Sequence, residues 1–231
     1  QFMYAHAVVL NFLGQTPWAK IEPFFLQALA LHREREDELR TLKFIVGLSV
    51  GYTLHWQPGK AEPLTVNALD HSQRALGPDH PDTGNLITTL GWIYEELNQP
   101  ERAKELVLRS YELRRRILGE GSPRTLSSFV LLTRIFVQQQ QFDEAGPRTE
   151  EAIARIRDRP AVLNDLYLPY QVGELGWASL EQGDAATAET LCDLALKAMR
   201  RKTDPSQVVL ARVLTQMGAV CLAQERYSEA E

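Results

Sequence analysis

Cysteine is nearly absent from this chain: Cys192 and Cys221 are the whole complement among 231 residues. Two thiols make no disulfide framework of the kind small secreted domains depend on. Both lie in apolar-periodic stretches, where small core residues are expected. Long apolar runs are missing too. No stretch approaches the roughly 20 residues that span a bilayer. The opening "QFMYAHAVVLNFLGQ" lacks the basic region and cleavage site of a secretory signal. A cytoplasmic location away from membranes is expected. Basic charge is in deficit, with 25 Lys and Arg against 30 Asp and Glu and a net charge of -5. Neither nucleic acid nor anionic lipid is drawn to such a chain. Catalytic motifs are lacking as well: there is no HExxH, CxxC or GxSxG, and the five histidines are scattered. "WQPGK", Trp56 to Lys60, ends in Gly-Lys, yet no Ser or Thr follows and no glycine precedes at phosphate-loop spacing. It reads as a turn between helices. The expectation is a protein that is not an enzyme, with no metal site and no cofactor.

What the chain has is repetition. Ala61, Ala103, Ala145, Ala188 and Ala230 are separated by 42, 42, 43 and 42 residues. Leu48, Leu90, Leu132, Leu175 and Met217 each stand 13 residues before one of those alanines, and a small residue follows each: Ser49, Gly91, Thr133, Gly176 and Gly218. A third set, Ala68, Ser110, Ala152 and Ala195, lies seven residues after the alanines. A fixed period of this length organises the chain as an array rather than as a globule.

Within one period the apolar spacing is helical. Leu86, Leu90, Ile93, Tyr94 and Leu97 form one face and, after "NQP", Ala103, Leu106, Val107, Ser110, Leu113 and Ile117 form another. Each unit is therefore a pair of antiparallel helices. "LGPDHPDT" and Gly119 to Ser122 close second helices, while His80-Pro81, Ser122-Pro123 and Asp204-Pro205 open new units with a cap and a first-turn proline. The junction "HREREDELR" has neither Gly nor Pro, and a tight or continuous helical turn is expected there. Acidic residues near helix starts and arginines near helix ends complement the helix dipole.

The pattern of leucine, small residue and aromatic, then aromatic and two alanines, is met by Leu90-Gly91-Tyr94-Ala103 and by Leu132-Thr133-Phe136-Phe142-Ala145-Ala152. It resembles the tetratricopeptide repeat (TPR). The period of 42, with "LGPDHPDT", is similar to the kinesin-light-chain-like subclass. Pro58, Pro100 and Ala185 depart from the pattern where Trp18, Phe142 and Tyr227 supply the aromatic. The resemblance implies an all-α, right-handed α-solenoid of about five and a half repeats over 1–231, with units near 1–37, 38–79, 80–121, 122–163, 164–203 and an incomplete 204–231. It also implies that first helices line a concave groove. The position two after each key leucine holds Val50, Trp92, Arg134, Trp177 and Ala219. One turn earlier stand Val46, Thr88, Val130, Gly173 and Thr215, and beyond them Lys43, Asn85, Ser127, Tyr170 and Arg212. Indoles beside arginines suit an extended peptide, its apolar side chains on the rings and an acidic group on Arg134 or Arg212. Trp92 and Trp177 are also placed to pack on the neighbouring unit and show only an edge.

The expected role is a protein or peptide-binding scaffold within a larger, bacterial signalling protein. Two alternatives stay open: a cargo adaptor of kinesin-light-chain type, and an autoinhibitory sensor for an enzyme such as a serine/threonine kinase. A basic outer edge is a competing surface. The apolar ends, with Phe2, Met3 and Tyr4 at one side and Val220 and Leu222 at the other, lead to an expectation of end-to-end self-association.

Overall fold

The computed structural model describes residues 18–34, 37–165, 167–201 and 207–224; for residues 32–34, 207–209 and 212 the description is of the backbone alone. Among the described residues there are ten α-helices, one 3-10 helix and no strand. Those up to Ile117 belong to one compact unit and those from Leu118 to a second.

The first unit contains α1 (Trp18–Glu34), α2 (Glu38–Leu54), α3 (Pro58–Ala75), α4 (Pro81–Glu96) and all but the last residue of α5 (Pro100–Leu118). Helix α1 packs on α2, α2 on α3, and α3 on α4, while the two first helices α2 and α4 lie against each other. The second unit contains α6 (Pro123–Gln138), α7 (Phe142–Asp158), the 3-10 helix Pro160–Asn164, α8 (Leu168–Glu181), α9 (Ala185–Arg200) and α10 (Gln207–Ala223). There α6 pairs with α7 and α8 with α9, and the first helices α6, α8 and α10 are neighbours in turn. Each unit is thus a stack of helix hairpins, the arrangement of an α-solenoid. Ala230 and Tyr227, Asp204-Pro205, and Phe2, Met3 and Tyr4 lie outside the described residues.

First and second helices differ in how much they bury, and the sequence states why. Helix α2 is buried continuously from Ile45 to Leu54 and α6 from Thr125 to Val137, because a first helix packs both on its hairpin partner and on a neighbouring first helix. The second helices bury only one stripe. It runs Ala61, Thr65, Ala68, Ser72 in α3, Ala103, Val107, Ser110, Arg114 in α5, Ala145, Thr149, Ala152, Ile156 in α7 and Ala188, Cys192, Ala195, Met199 in α9. Steps of four, three and four keep that stripe on one helical face. Small residues dominate its start, so the backbones of a hairpin close tightly. A Cβ placed on Gly91 would come within 2.6 Å of Val107.

The joints recur with the same period. Trp56, Asn98, Gln140 and Gly183 all have positive φ, at 60°, 55°, 57° and 85°. Around each, the next residue's N–H donates to a carbonyl five residues back: Gln57 to Tyr52, Gln99 to Tyr94, Gln141 to Phe136 and Asp184 to Ser179, at 2.8 to 3.0 Å. This is a Schellman ending to the four first helices α2, α4, α6 and α8, and it sets the angle at which the second begins. The joint between hairpins repeats as well. Gly77 and Gly119 have φ of 92° and 76°, and Thr83 and Thr125 donate their hydroxyls to these glycines' carbonyls at 2.9 and 2.8 Å. His80 then caps α4, its ring accepting from Asp82 N–H, and Ser122 holds the same position before α6, each followed by proline at the first helical position. "LGPDHPDT" is a structural hinge of this kind. At the junction near residue 37 the helix does not run on unbroken, since Asp37 (φ -84°, ψ 78°) caps α2 by accepting from Arg40 N–H at 3.2 Å. The 43-residue step falls where Pro160–Asn164 forms a 3-10 helix with Val162 and Leu163 buried, and Asp165 accepts from the backbone of Tyr167 and Leu168.

Candidate functional site

The expected groove residues sit on first helices. In the first unit Val46 and Val50 of α2 are buried, and Lys43 is half-buried. On α4, Thr88 shares a hydrogen bond of 2.5 Å with Ser110 of α5, its hairpin partner. Asn85 Oδ1 accepts from Arg114 Nη2 at 3.0 Å. Arg114 therefore turns inward, although its place on a second helix gives the expectation of an outer residue. Trp92 is only 7% exposed, and its Nε1 donates to Glu96 Oε1 at 3.0 Å.

The second unit carries the more connected face. Ser127 of α6 donates to Gln171 of α8 at 2.5 Å. Arg134 of α6, 3% exposed, donates to Glu174 Oε2 of α8 at 3.1 Å, and Gln216 Nε2 of α10 donates to Glu174 Oε1 at 2.8 Å. One carboxylate thus joins three successive first helices. It is also what makes the buried Arg134 charge tolerable, since an unpaired ion in that setting carries a penalty of several kcal/mol. Val130 is fully buried and Tyr170 nearly so. Trp177 is partly exposed, and its Nε1 donates to Glu181 Oε1 at 2.9 Å, repeating the Trp92–Glu96 arrangement. The Arg212 side chain lies outside the described residues.

Glu174, Gln171, Gln216 and the two carboxylates paired with the indoles are absent from the groove positions expected from the sequence. A signal for two of them exists. Glu174 and Gln216 each immediately precede the key apolar residue of their unit, Leu175 or Met217, and a polar group twice at one register position deserved a partner. Burial, and then the Glu174 charge, push the Cys192 thiol up to about 12. A thiol so held is protonated at neutral pH and is no nucleophile. Among the described residues no group of three or more His, Cys, Asp or Glu is placed to hold a metal ion. No described helix is long and apolar enough to cross a membrane.

A second concavity, of about 530 Å³, lies in the first unit where the α3–α4 joint meets α5. It is lined by Pro78 and Asp79 with Arg109, Glu112, Leu113, Arg115 and Arg116, and Arg116 Nη2 reaches Asp79 Oδ1 at 2.6 Å.

Compared with known proteins, residues 57–116 match the family model described as Tetratricopeptide repeat. No curated protein matches the chain in sequence. Among solved structures it is similar to BtubC (BKLC) from P. vanneervenii, at 19% identity and a TM-score of 0.62 over 94% of this chain and 87% of that one. It is similar to a P. anserina kinesin light chain protein with nearly identical TPR-like repeats, at 18% identity and 0.57 over 82% and 89%. It is also similar to a Rap protein complexed with competence and sporulation factor, at 12% identity and 0.59 over 100% of this chain and 66% of that one. At these identities the likeness is one of fold.

Proposed function

We propose, from a chain that carries a tetratricopeptide repeat segment on a fold shared with TPR-like and kinesin-light-chain-like proteins, that it is a non-catalytic scaffold binding a protein or extended peptide along its first helices. The observation that carries this reading is the line of contacts Ser127–Gln171 and Arg134–Glu174–Gln216. It ties α6, α8 and α10 side by side, with Glu174 and Gln216 at one register position, so that their outward neighbours form one strip. A fold neighbour solved with a bound factor supports the same use of the scaffold. Trp177 offers indole surface to an apolar side chain. An acidic group of the ligand finds Arg134 already paired with Glu174 and has to displace that carboxylate, or else use Arg212.

The host we propose is a larger signalling protein of the cytoplasm. A cargo adaptor of kinesin-light-chain type is the alternative that the P. anserina neighbour favours; an autoinhibitory sensor for a linked kinase is a further one. The arginine-lined cleft at Asp79 is the observation that favours a second surface. End-to-end self-association through the apolar ends belongs to the same reading, and a clean monomer by light scattering at millimolar concentration overturns that part.

The test is panning of a displayed peptide library on the domain and on a Trp92→Ala/Trp177→Ala variant of unchanged helicity. Enrichment of a shared motif that the variant no longer captures is the expected result. Enrichment indifferent to both substitutions overturns the groove reading and moves recognition to the outer face.

A further inference from the structure

Resting on that groove reading, we infer that the α8 face of the second unit selects a ligand bearing a cationic side chain, arginine or lysine, and that Trp177 and Glu181 receive it. Gly173, Trp177 and Glu181 follow one another at four-residue steps on α8. They form a single stripe about 12 Å long, at about 1.5 Å per residue. In its middle the Trp177 Nε1–Glu181 Oε1 bond, 2.9 Å, fixes the indole plane and sets an exposed carboxylate at the ring edge. An indole face beside a carboxylate attracts a guanidinium or ammonium twice, through the ring quadrupole and through charge. A carboxylate ligand meets the opposite sign at the same place.

The other end of the stripe gives an independent reason. Gln216, 7% exposed, has a buried Oε1 with no hydrogen-bond partner among the described residues, while its Nε2 is committed to Glu174. That oxygen packs over Gly173, 2.8 Å from where a Cβ would be and with Val213 Cγ2 at 3.1 Å, so the bare glycine is what lets it sit there. A buried acceptor left unmet carries a penalty that an incoming donor relieves. Meanwhile Arg134, the basic residue of this face whose side chain is described, already gives Nη1 to Glu174. The stripe offers acceptors and negative charge, so the ligand must supply donors and positive charge. Both arginine and lysine do so; arginine, planar and stackable on indole, fits better.

Three blocked nonapeptides of one Gly/Ser/Leu framework, differing only in carrying two central Arg, two Gln or two Glu residues, test this by fluorescence anisotropy. The expected order is Arg tightest, by about tenfold over Gln, and Glu weakest. Glu181→Gln removes most of the Arg preference over Gln, and Glu181→Lys reverses the order. Far-UV circular dichroism checks that both variants keep their helices. A Glu peptide binding as tightly as the Arg peptide, or an Arg preference untouched by Glu181→Gln, overturns the inference. If all three peptides bind alike and all are lost in Trp177→Ala, the inference falls and the groove reading stands. If none binds the unsubstituted protein, both fall.

Discussion

Gly176 and Cys192 are so close that a Cβ on the glycine would lie 2.9 Å from the sulfur, with Ala188 O and the Leu191 Cβ at 3.2 Å behind it. This is where α8 meets α9 in their hairpin, and it makes the first prediction. Gly176→Ala is expected to destabilise by about 1–3 kcal/mol through overpacking. Cys192→Ala restores part of that loss when combined with it, because it clears the sulfur but leaves the Ala188 carbonyl. Urea unfolding of the two single variants and the double measures the coupling, expected at about 0.5–3 kcal/mol. Strict additivity contradicts the contact.

The left-handed joints predict a reversal of the usual glycine effect. Gln140 and Gly183 hold equivalent places, with φ of 57° and 85°. Gln140→Gly is expected to stabilise, since a side chain at positive φ costs about 1–2 kcal/mol. Gly183→Ala should destabilise by a similar amount. Asn98→Gly should change little, as asparagine tolerates this conformation. Thermal unfolding of the three variants checks the order.

These joints also mark how far the sequence can be read. Asn98-Gln99-Pro100 and Gly183-Asp184 announce a helix ending, because asparagine and glycine favour positive φ. Trp56 and Gln140 do not, and their conformation follows from packing on either side rather than from their own preference. Trp56 consequently remains 72% exposed. The hairpins, the small-residue contacts at Gly91 and Gly176 and the proline starts were legible from period and residue size. The ion pair of Arg134 with Glu174 was not. Register places a residue on a face; which neighbour its charge meets depends on the distance between helices, and no single-chain pattern reports that.

That pair predicts an asymmetry between single and combined substitution. Arg134→Ala, leaving the partly buried Glu174 with one partner fewer, is expected to destabilise by about 1–3 kcal/mol, whereas Arg134→Met with Glu174→Leu and Gln216→Leu, which removes the whole network, is expected to be near neutral. Denaturant midpoints decide it. A mild Arg134→Ala effect contradicts the role of the ion pair.

In the first unit His55 stacks on Trp18 with ring centroids 5.0 Å apart, and burial lowers its pKa from the ordinary imidazole value. The unfolded chain therefore binds the proton more readily than the folded one. The stability associated with neutral His55 is complete above the ordinary value, near pH 6.5, and is lost as pH falls from there through the lower folded-state value. Comparing melting temperatures from pH 7.5 to 5 with those of His55→Phe should show a shallower fall in the variant. Parallel curves contradict this prediction.

The central claim is that first helices form the recognition surface. Hydrogen exchange on the domain, with and without a peptide enriched by panning, tests it most directly. Protection gained in α6 and α8, over 123–138 and 168–181, with α7 and α9 unchanged, is the predicted result. Protection concentrated in the second helices α5, α7 and α9 would contradict it.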